Sequence, residues 1–448
     1  MPNTIAFNEQ YPDIHQSEQW YARALGLIPG QTQTLAKGPG QYVRGVAPMF
    51  AAHAKGAHMF DVDGNAYIDY NMGIGPISLG YAYDRVDDAI REQLARGITF
   101  SLVHPLEVEV AELLRDVLPH AEMIRYSKAG NDVTSAAVRL ARAFTGRDTV
   151  LCCGYHGWHD WYISVTDRNR GIPAQVADLT YTFQYNDIQS VIDSIDDDTA
   201  CVILEPVVFE EPRDNFLQEL RAVCDRYGVL LIFDEMWTGF RLALGGAQEY
   251  FGVRADLACY SKAVANGMPI SVLAGRADIM TLCEKDVFFY TTFGGEALSL
   301  AAAKATILEM REKQVQKRLF EAGGRLRDGL NTMLSELEID YIHCRGYAPR
   351  SIVTFDASAG NPLMLKSLAQ QELIKRGILW SGFHTVSYSH TDDDIEHTLA
   401  AWREVLPLLH DAVATGEVDS QLRGAPVEPV FRKTSNFNTR AKTSAQAQ

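Results

Sequence analysis

Five consecutive apolar residues, Val229-Leu230-Leu231-Ile232-Phe233, run straight into two carboxylates, Asp234 and Glu235, and then into a turn at Gly239. A strand with no polar alternation is buried on both faces, so its sheet must be covered by helices on each side. Residues 123–127, 149–153, 200–205, 257–261 and 270–275 repeat the strand-like signal, and residues 132–144 and 215–227 carry apolar side chains at helical spacing. The second of these helices offers Asp214 or Asn215 as N-cap and Gly228 where a C′ glycine belongs. Strands alternating with helices over residues 85–310 predict an α/β fold with a mainly parallel sheet. Its ligand site is expected at the carboxyl ends of the strands.

The rest of the chain reads differently. Up to about residue 60 it is glycine-punctuated and irregular, after which residues 60–69 form a hairpin around Asp63-Gly64-Asn65. From about residue 315, charged helical segments surround a strand at 351–355 and suggest a smaller α+β lobe. The expected division is an N-terminal segment 1–84, a large domain 85–315, a small domain 316–431 and a mobile tail 432–448. No repeat of 20–50 residues is visible.

Composition excludes several functions. Among 448 residues, 41 basic against 57 acidic side chains leave a net charge of −16, which argues against nucleic acid or an anionic membrane as partner. The start lacks the basic and apolar regions of a secretory signal, and the apolar runs are far shorter than the ~20 residues of a membrane helix. Seven cysteines, including the adjacent Cys152 and Cys153, do not read as a disulfide framework. A cytoplasmic location is expected.

Candidate chemistry clusters after the strands. Asp234 ends a buried strand, and an ionised carboxylate there needs a cationic partner, such as a protonated pyridine nitrogen; the plainer reading is a cap on the next turn. Met236, two residues on, shares its side and can pack on a flat ring. Lys262 follows another apolar strand. A lysine in an apolar pocket has a depressed pKa and can form a Schiff base with an aldehyde, although a lone lysine after a strand is usually surface charge. Gly130 and Asn131 open the helix at 132–144, where exposed N–H groups and the helix dipole favour an anion; an ordinary N-cap is the commoner use. Tyr155 can stack on a planar cofactor. His156 and His159 have the spacing of metal ligands on a helix, but no third ligand or HExxH pattern accompanies them, so no metal site is expected. Thr291 and Thr292 precede a helix from Glu296 and offer hydroxyls to an anion. No GxGxxG, GxSxG or Walker loop is present.

Tyr155-His156-Gly157, Phe233-Asp234-Glu235, Thr238-Gly239-Phe240-Arg241, Ser261-Lys262 and Thr292-Phe293-Gly294-Gly295 stand in the order and spacing of class III pyridoxal-phosphate aminotransferases. The resemblance, nearest to glutamate-1-semialdehyde 2,1-aminomutase and its relatives, runs from about Gly30 to Thr398. It implies a fold-type-I transferase, with pyridoxal 5′-phosphate as cofactor and a homodimer whose interface includes the N-terminal segment. Carried over, Lys262 resembles the lysine that joins the cofactor and shuttles the proton, and Asp234 the partner of the ring nitrogen. Tyr155 matches the aromatic residue on one ring face, with His156 beside it, and Met236 a residue on the other face. Gly130 and Asn131 fall at the phosphate loop, and Thr292 matches a threonine reaching the phosphate of the neighbouring subunit's cofactor.

Departures bear on the reaction. The phosphate loop reads Ala129-Gly130-Asn131 where a Ser-Gly-Thr loop is expected, so two hydroxyls are missing. Residues 158–185 are shorter than the glycine-rich lid of the aminomutases and contain Arg168, Arg170 and the turn Gly171-Ile172-Pro173. Lys37 stands where the aminomutases hold the substrate carboxylate with arginine. A mutase must retain its diamino intermediate, so a missing lid favours ordinary transamination between a small-molecule amino donor and a carbonyl acceptor. Two readings remain beside it: aminomutase-type intramolecular transfer, and a non-catalytic scaffold that binds the cofactor.

Overall fold

A computed structural model describes residues 10–207 and 210–429, which divide into two compact units. One comprises residues 84–316 among those described, the other residues 10–83 and 317–429. The expected tail, 432–448, lies outside the described residues.

The unit of residues 84–316 is built on a seven-stranded sheet. Its strands are β1 (Met123–Ser127), β2 (Thr149–Cys153), β3 (Thr180–Thr182), β4 (Thr199–Leu204), β5 (Leu230–Asp234), β6 (Leu257–Tyr260) and β7 (Ser271–Gly275), in spatial order β1-β7-β6-β5-β4-β2-β3. All pairs from β6 to β3 are parallel, and β7 alone runs antiparallel to its neighbours β1 and β6. Every residue of β2, β4, β5, β6 and β7 is buried, as unbroken apolar runs require of a sheet covered on both faces. On one face Val133, Ala137 and Leu140 pack against Cys152, Ile203 and Ile232. On the other, Leu217, Leu220 and Cys224 pack against Val202, Leu231 and Phe233. These are the two sides of a doubly covered α/β layer.

The two helices begin earlier or cap differently than expected. Helix α1 spans Gly130–Thr145, because Asp132 at its third position accepts the N–H of Ala129 at 2.9 Å and closes the first turn. Helix α2 spans Phe216–Tyr227, with Asn215 at the N-cap position but in a left-handed conformation (φ 58°), making no side-chain cap bond. Gly228 ends it at φ 62°, as the sequence suggests. A third long helix, α3 (Ala297–Glu312), starts from Glu296, whose carboxylate accepts the Leu298 N–H at 2.7 Å.

The other unit holds a four-stranded sheet of Ala51–Lys55, His58–Asp61, Ala66–Asp69 and Ile378–Leu379, and a three-stranded antiparallel sheet of Ile342–Arg345, Arg350–Phe355 and Phe383–Thr385. The hairpin at 58–69 turns as the sequence reads, with Gly64 at φ 89° and the Asp61 carboxylate taking the Asn65 N–H at 2.8 Å. The stretch before residue 60 is less irregular than expected. It contains a helix, His15–Ala24, whose Ser17 N–H is capped at 2.9 Å by the Asp63 carboxylate of the hairpin turn, and the strand Ala51–Lys55. A cap supplied 46 residues away leaves no local mark.

Candidate active site

Asp234 is the last residue of β5 and pairs in register with Cys259 of the neighbouring parallel strand β6. Lys262 comes three residues after Cys259, in a short turn of helix (Lys262–Ala265), at φ 46°. Both therefore leave the carboxyl ends of hydrogen-bonded strands, where open α/β sheets bind ligands. A positive φ on a lysine is an uncommon conformation. It turns the chain sharply after the strand.

Asp234 is 1% exposed. Its Oδ2 lies 2.8 Å from His156 Nδ1, and its Oδ1 accepts the Met236 N–H at 3.1 Å. Within the protein this carboxylate is thus hydrogen-bonded by His156 and the Met236 N–H. The imidazole is fully buried and stacks on Trp161 at 5.9 Å, and its Nε2 has no partner among the described residues.

Tyr155 follows the end of β2, with its N–H donated at 3.0 Å to the carboxylate of Glu205, which sits just beyond β4. Its ring meets Tyr162 edge-on at 5.7 Å. Gly154, at φ 105°, lies so close to Glu205 that an added Cβ would be 2.7 Å from Oε2. The two strand ends are held together through that carboxylate.

Gly130 and Asn131 form the first turn of α1, and their N–H groups have no carbonyl four residues back to bind. Gly130 packs under Met236: a Cβ there would stand 2.6 Å from the Met236 sulfur. Asp132 also accepts from the Ser127 hydroxyl at 2.6 Å, and the Lys128 ammonium is held at 2.7 Å by Glu296. The structure so brings Gly130, Asn131, Tyr155, His156, Asp234 and Met236 onto one network around the strand ends. Thr292 lies apart from that network, exposed in the turn before α3.

Three sequence readings need correction or completion. His156 and His159 are not on a helix: both precede the helical turn Asp160–Ile163. Their side chains part, His156 to Asp234 and His159 to Asn131 and Ser135 at 2.6 and 2.7 Å. Residues 158–185 are a folded connection ending in β3, an edge strand paired with β2. Glu235 and Arg241 are core groups. Glu235, pushed up to about 7 by burial, accepts the N–H groups of Ala247 and Gln248 and the Thr238 hydroxyl. Burial likewise lowers the fully enclosed Arg241 to about 10. Gly239 is required because a Cβ would meet Tyr260 at 2.6 Å.

Sequence reasoning missed Glu205 and Ser135, and weighed His159 only as a metal ligand. The signal for Glu205 was present, a carboxylate directly after an apolar strand. The contact of Ser135 with His159 is visible only once α1 and the loop after β2 are brought together. Lys37 ends a short helical turn, Leu35–Lys37, in the other unit.

The family model for class III aminotransferases matches residues 41–390. A 3-aminobutyryl-CoA aminotransferase of Cloacimonas acidaminovorans is 33% identical over 406 residues, covering 88% of this chain and 97% of the relative. A glutamate-1-semialdehyde 2,1-aminomutase of Archaeoglobus fulgidus is 34% identical over 422 residues, covering 88% of this chain and all of the relative. Among solved structures, the FumI protein of Sphingopyxis sp. MTA144, in its PLP internal aldimine form, superposes with a TM-score of 0.84 at 30% identity over 90% of this chain and 98% of that one.

Proposed function

The chain belongs to the class III aminotransferases, and from that membership we propose that it moves an amino group from a small-molecule amino donor to a carbonyl acceptor, with pyridoxal 5′-phosphate as cofactor. Bound, that cofactor supplies an aldehyde for the amine and an electron sink for the carbon that loses its proton. The residues fit such a group. A buried, doubly held carboxylate suits a protonated ring nitrogen, a helix start with free N–H groups suits a phosphate, and a lysine leaves the strand next to that carboxylate.

In this reading Lys262 would hold the cofactor through its amine until a substrate amine displaces it, and the freed amine would then take the proton from the substrate carbon and return it one position away. Asp234, with His156 behind it, keeps the ring nitrogen protonated. Tyr155 and Met236 would pack against the ring, and Gly130 and Asn131 would hold the phosphate. The observation that carries the reading is the departure of Asp234 and Lys262 from the same ends of paired strands.

Transfer between two molecules is preferred to an intramolecular shift because residues 158–185 are shorter than the lid with which an aminomutase would retain its diamino intermediate. A homodimer completes the proposal, with Thr292 of each subunit reaching the other's phosphate. Phe100, Leu102, Val103, Phe288 and Phe293 are 44–84% exposed, apolar side chains that a partner subunit would cover. Among the described residues no helix is long and apolar enough to cross a membrane. The seven cysteines are free thiols, which supports a reducing, cytoplasmic setting.

The test is to load the protein with pyridoxamine phosphate and screen carbonyl compounds for return of pyridoxal absorbance. Return with an acceptor alone supports transamination. Repeated turnover of one substrate with neither donor nor acceptor identifies a mutase instead, and a protein that binds cofactor but responds to no amine or carbonyl is the scaffold.

A further inference from the structure

The phosphate-loop positions carry Ala129 and Asn131 in place of hydroxyl residues, yet Asn131 is not loose. Its Nδ2 meets His159 Nε2 at 2.6 Å, His159 Nδ1 meets Ser135 Oγ at 2.7 Å, and Trp161 Nε1 donates to the same oxygen at 3.0 Å. The amide nitrogen has only hydrogens to offer, so His159 Nε2 is the acceptor and the ring proton sits on Nδ1, donated to Ser135. That order fixes the Asn131 side chain against the loop after β2.

Two further contacts press the same surfaces together. Thr134 donates its hydroxyl to the His156 carbonyl at 2.9 Å. Gly157, at φ 102°, lies so near Asn131 that an added Cβ would be 2.3 Å from the Asn131 Cβ. The first turn of α1 and the loop bearing Tyr155 and His156 are therefore one assembly, and His159 is the side chain bonded to both Asn131 and Ser135 of that helix.

Resting on the cofactor reading above, we propose that His159 is a positioning residue for the phosphate end of the site: its ring pins Asn131, so that the first N–H groups of α1 are preorganised for a phosphate dianion without the missing hydroxyls. The same pin ties that grip to the segment holding the ring through Tyr155 and the His156–Asp234 pair. Preorganised donors bind more tightly because no ordering remains to be done on binding.

The experiment compares full-length wild type, His159→Phe, His159→Gln, Asn131→Ala and the double variant His159→Phe/Asn131→Ala. Equilibrium dissociation constants are measured by absorbance for pyridoxal 5′-phosphate and for pyridoxal, which has no phosphate. His159→Phe fills the same space without hydrogen bonds, and is expected to weaken pyridoxal 5′-phosphate about tenfold while pyridoxal changes less than about twofold. His159→Gln, able to accept and donate, is expected to recover most of the loss. Adding His159→Phe to Asn131→Ala is expected to cost little more than Asn131→Ala alone.

Equal loss for both ligands, full additivity in the double variant, or unchanged affinity in His159→Phe would each overturn the proposal. If His159→Phe does not fold, the ratio of the two affinities in Asn131→Ala decides it by the same criterion. A wild type that binds pyridoxal but gains nothing from the phosphate overturns the positioning role alone. A wild type that binds neither ligand overturns the cofactor reading as well.

Discussion

His156 Nδ1 stands 2.8 Å from Asp234 Oδ2, with both side chains sealed from solvent. An ionised carboxylate has no proton to give, so the imidazole is the donor, and with the Met236 N–H on the other oxygen Asp234 is held from two directions. A carboxylate fixed in this way cannot rotate away from a cationic ligand, and burial makes its charge effective.

His156→Phe keeps a ring against Trp161 but removes the donor from Oδ2. A hydrogen bond to a buried charge contributes about 1.5–3 kcal/mol, so kcat is expected to fall roughly 10- to 100-fold with a smaller change in KM for the donor. Steady-state kinetics with a competent donor check this, and an unaltered kcat would remove His156 from the machinery.

Lys262→Ala is expected to retain the cofactor noncovalently and to lose turnover by a factor on the order of 10³ or more. Borohydride reduction and peptide mapping should leave a pyridoxyl adduct at Lys262 in the wild type and none in the variant. Normal turnover by the variant would refute the assignment.

Two glycines at the site differ in what they oppose. A Cβ at Gly130 meets the flexible end of Met236, whereas one at Gly157 meets the Asn131 Cβ at 2.3 Å from a backbone already at φ 102°. Gly157→Ala is therefore expected to destabilise the fold by about 1–3 kcal/mol. Gly130→Ala is expected to fold nearly as well as wild type but to displace Met236 and weaken cofactor binding. Urea denaturation and cofactor titration of the pair separate these outcomes; equal stability of the two variants would contradict the distinction.

Acid sensitivity is expected from two histidines outside the site. Burial holds His384 down at about 3 and His390 at about 4, against 6.5 for an unperturbed ring. The unfolded chain takes up protons near pH 6.5 while the native rings stay neutral, so between 6.5 and about 4 the unfolded state binds more protons. The contribution of these two rings to stability falls as pH falls through that window and is level above it. Unfolding near pH 5 should take up about two protons through these rings, and His390→Gln should remove about one. Denaturation midpoints across a pH series measure the slope; an identical slope in the variant would rule His390 out.

The central layer of the larger unit was legible because unbroken apolar runs admit one environment. Residues 123–127 and 149–153 match β1 and β2 to the residue and β4 to β7 fall within one residue at each end, whereas the short edge strand β3 was not read. The helix His15–Ala24 was not legible, since its cap comes from Asp63. Among the candidate site residues, Asp234 and Lys262 stood out because a charge at the end of a buried strand is costly without a purpose. Neither the loop histidines' partners nor the Glu205 tie to Tyr155 could be read in this way.

Order along the chain determined which side chains end which strands, and hydrophobic pattern determined that those strands are covered on both faces. Tertiary structure alone decided which polar atoms meet across those ends: His156 with Asp234, 78 residues apart, and His159 with Asn131, 28 apart. The physical reason is range. Hydrophobic burial is non-directional and leaves a periodic trace in the sequence, whereas a hydrogen bond requires two atoms within about 3 Å, and only the folded chain brings them there.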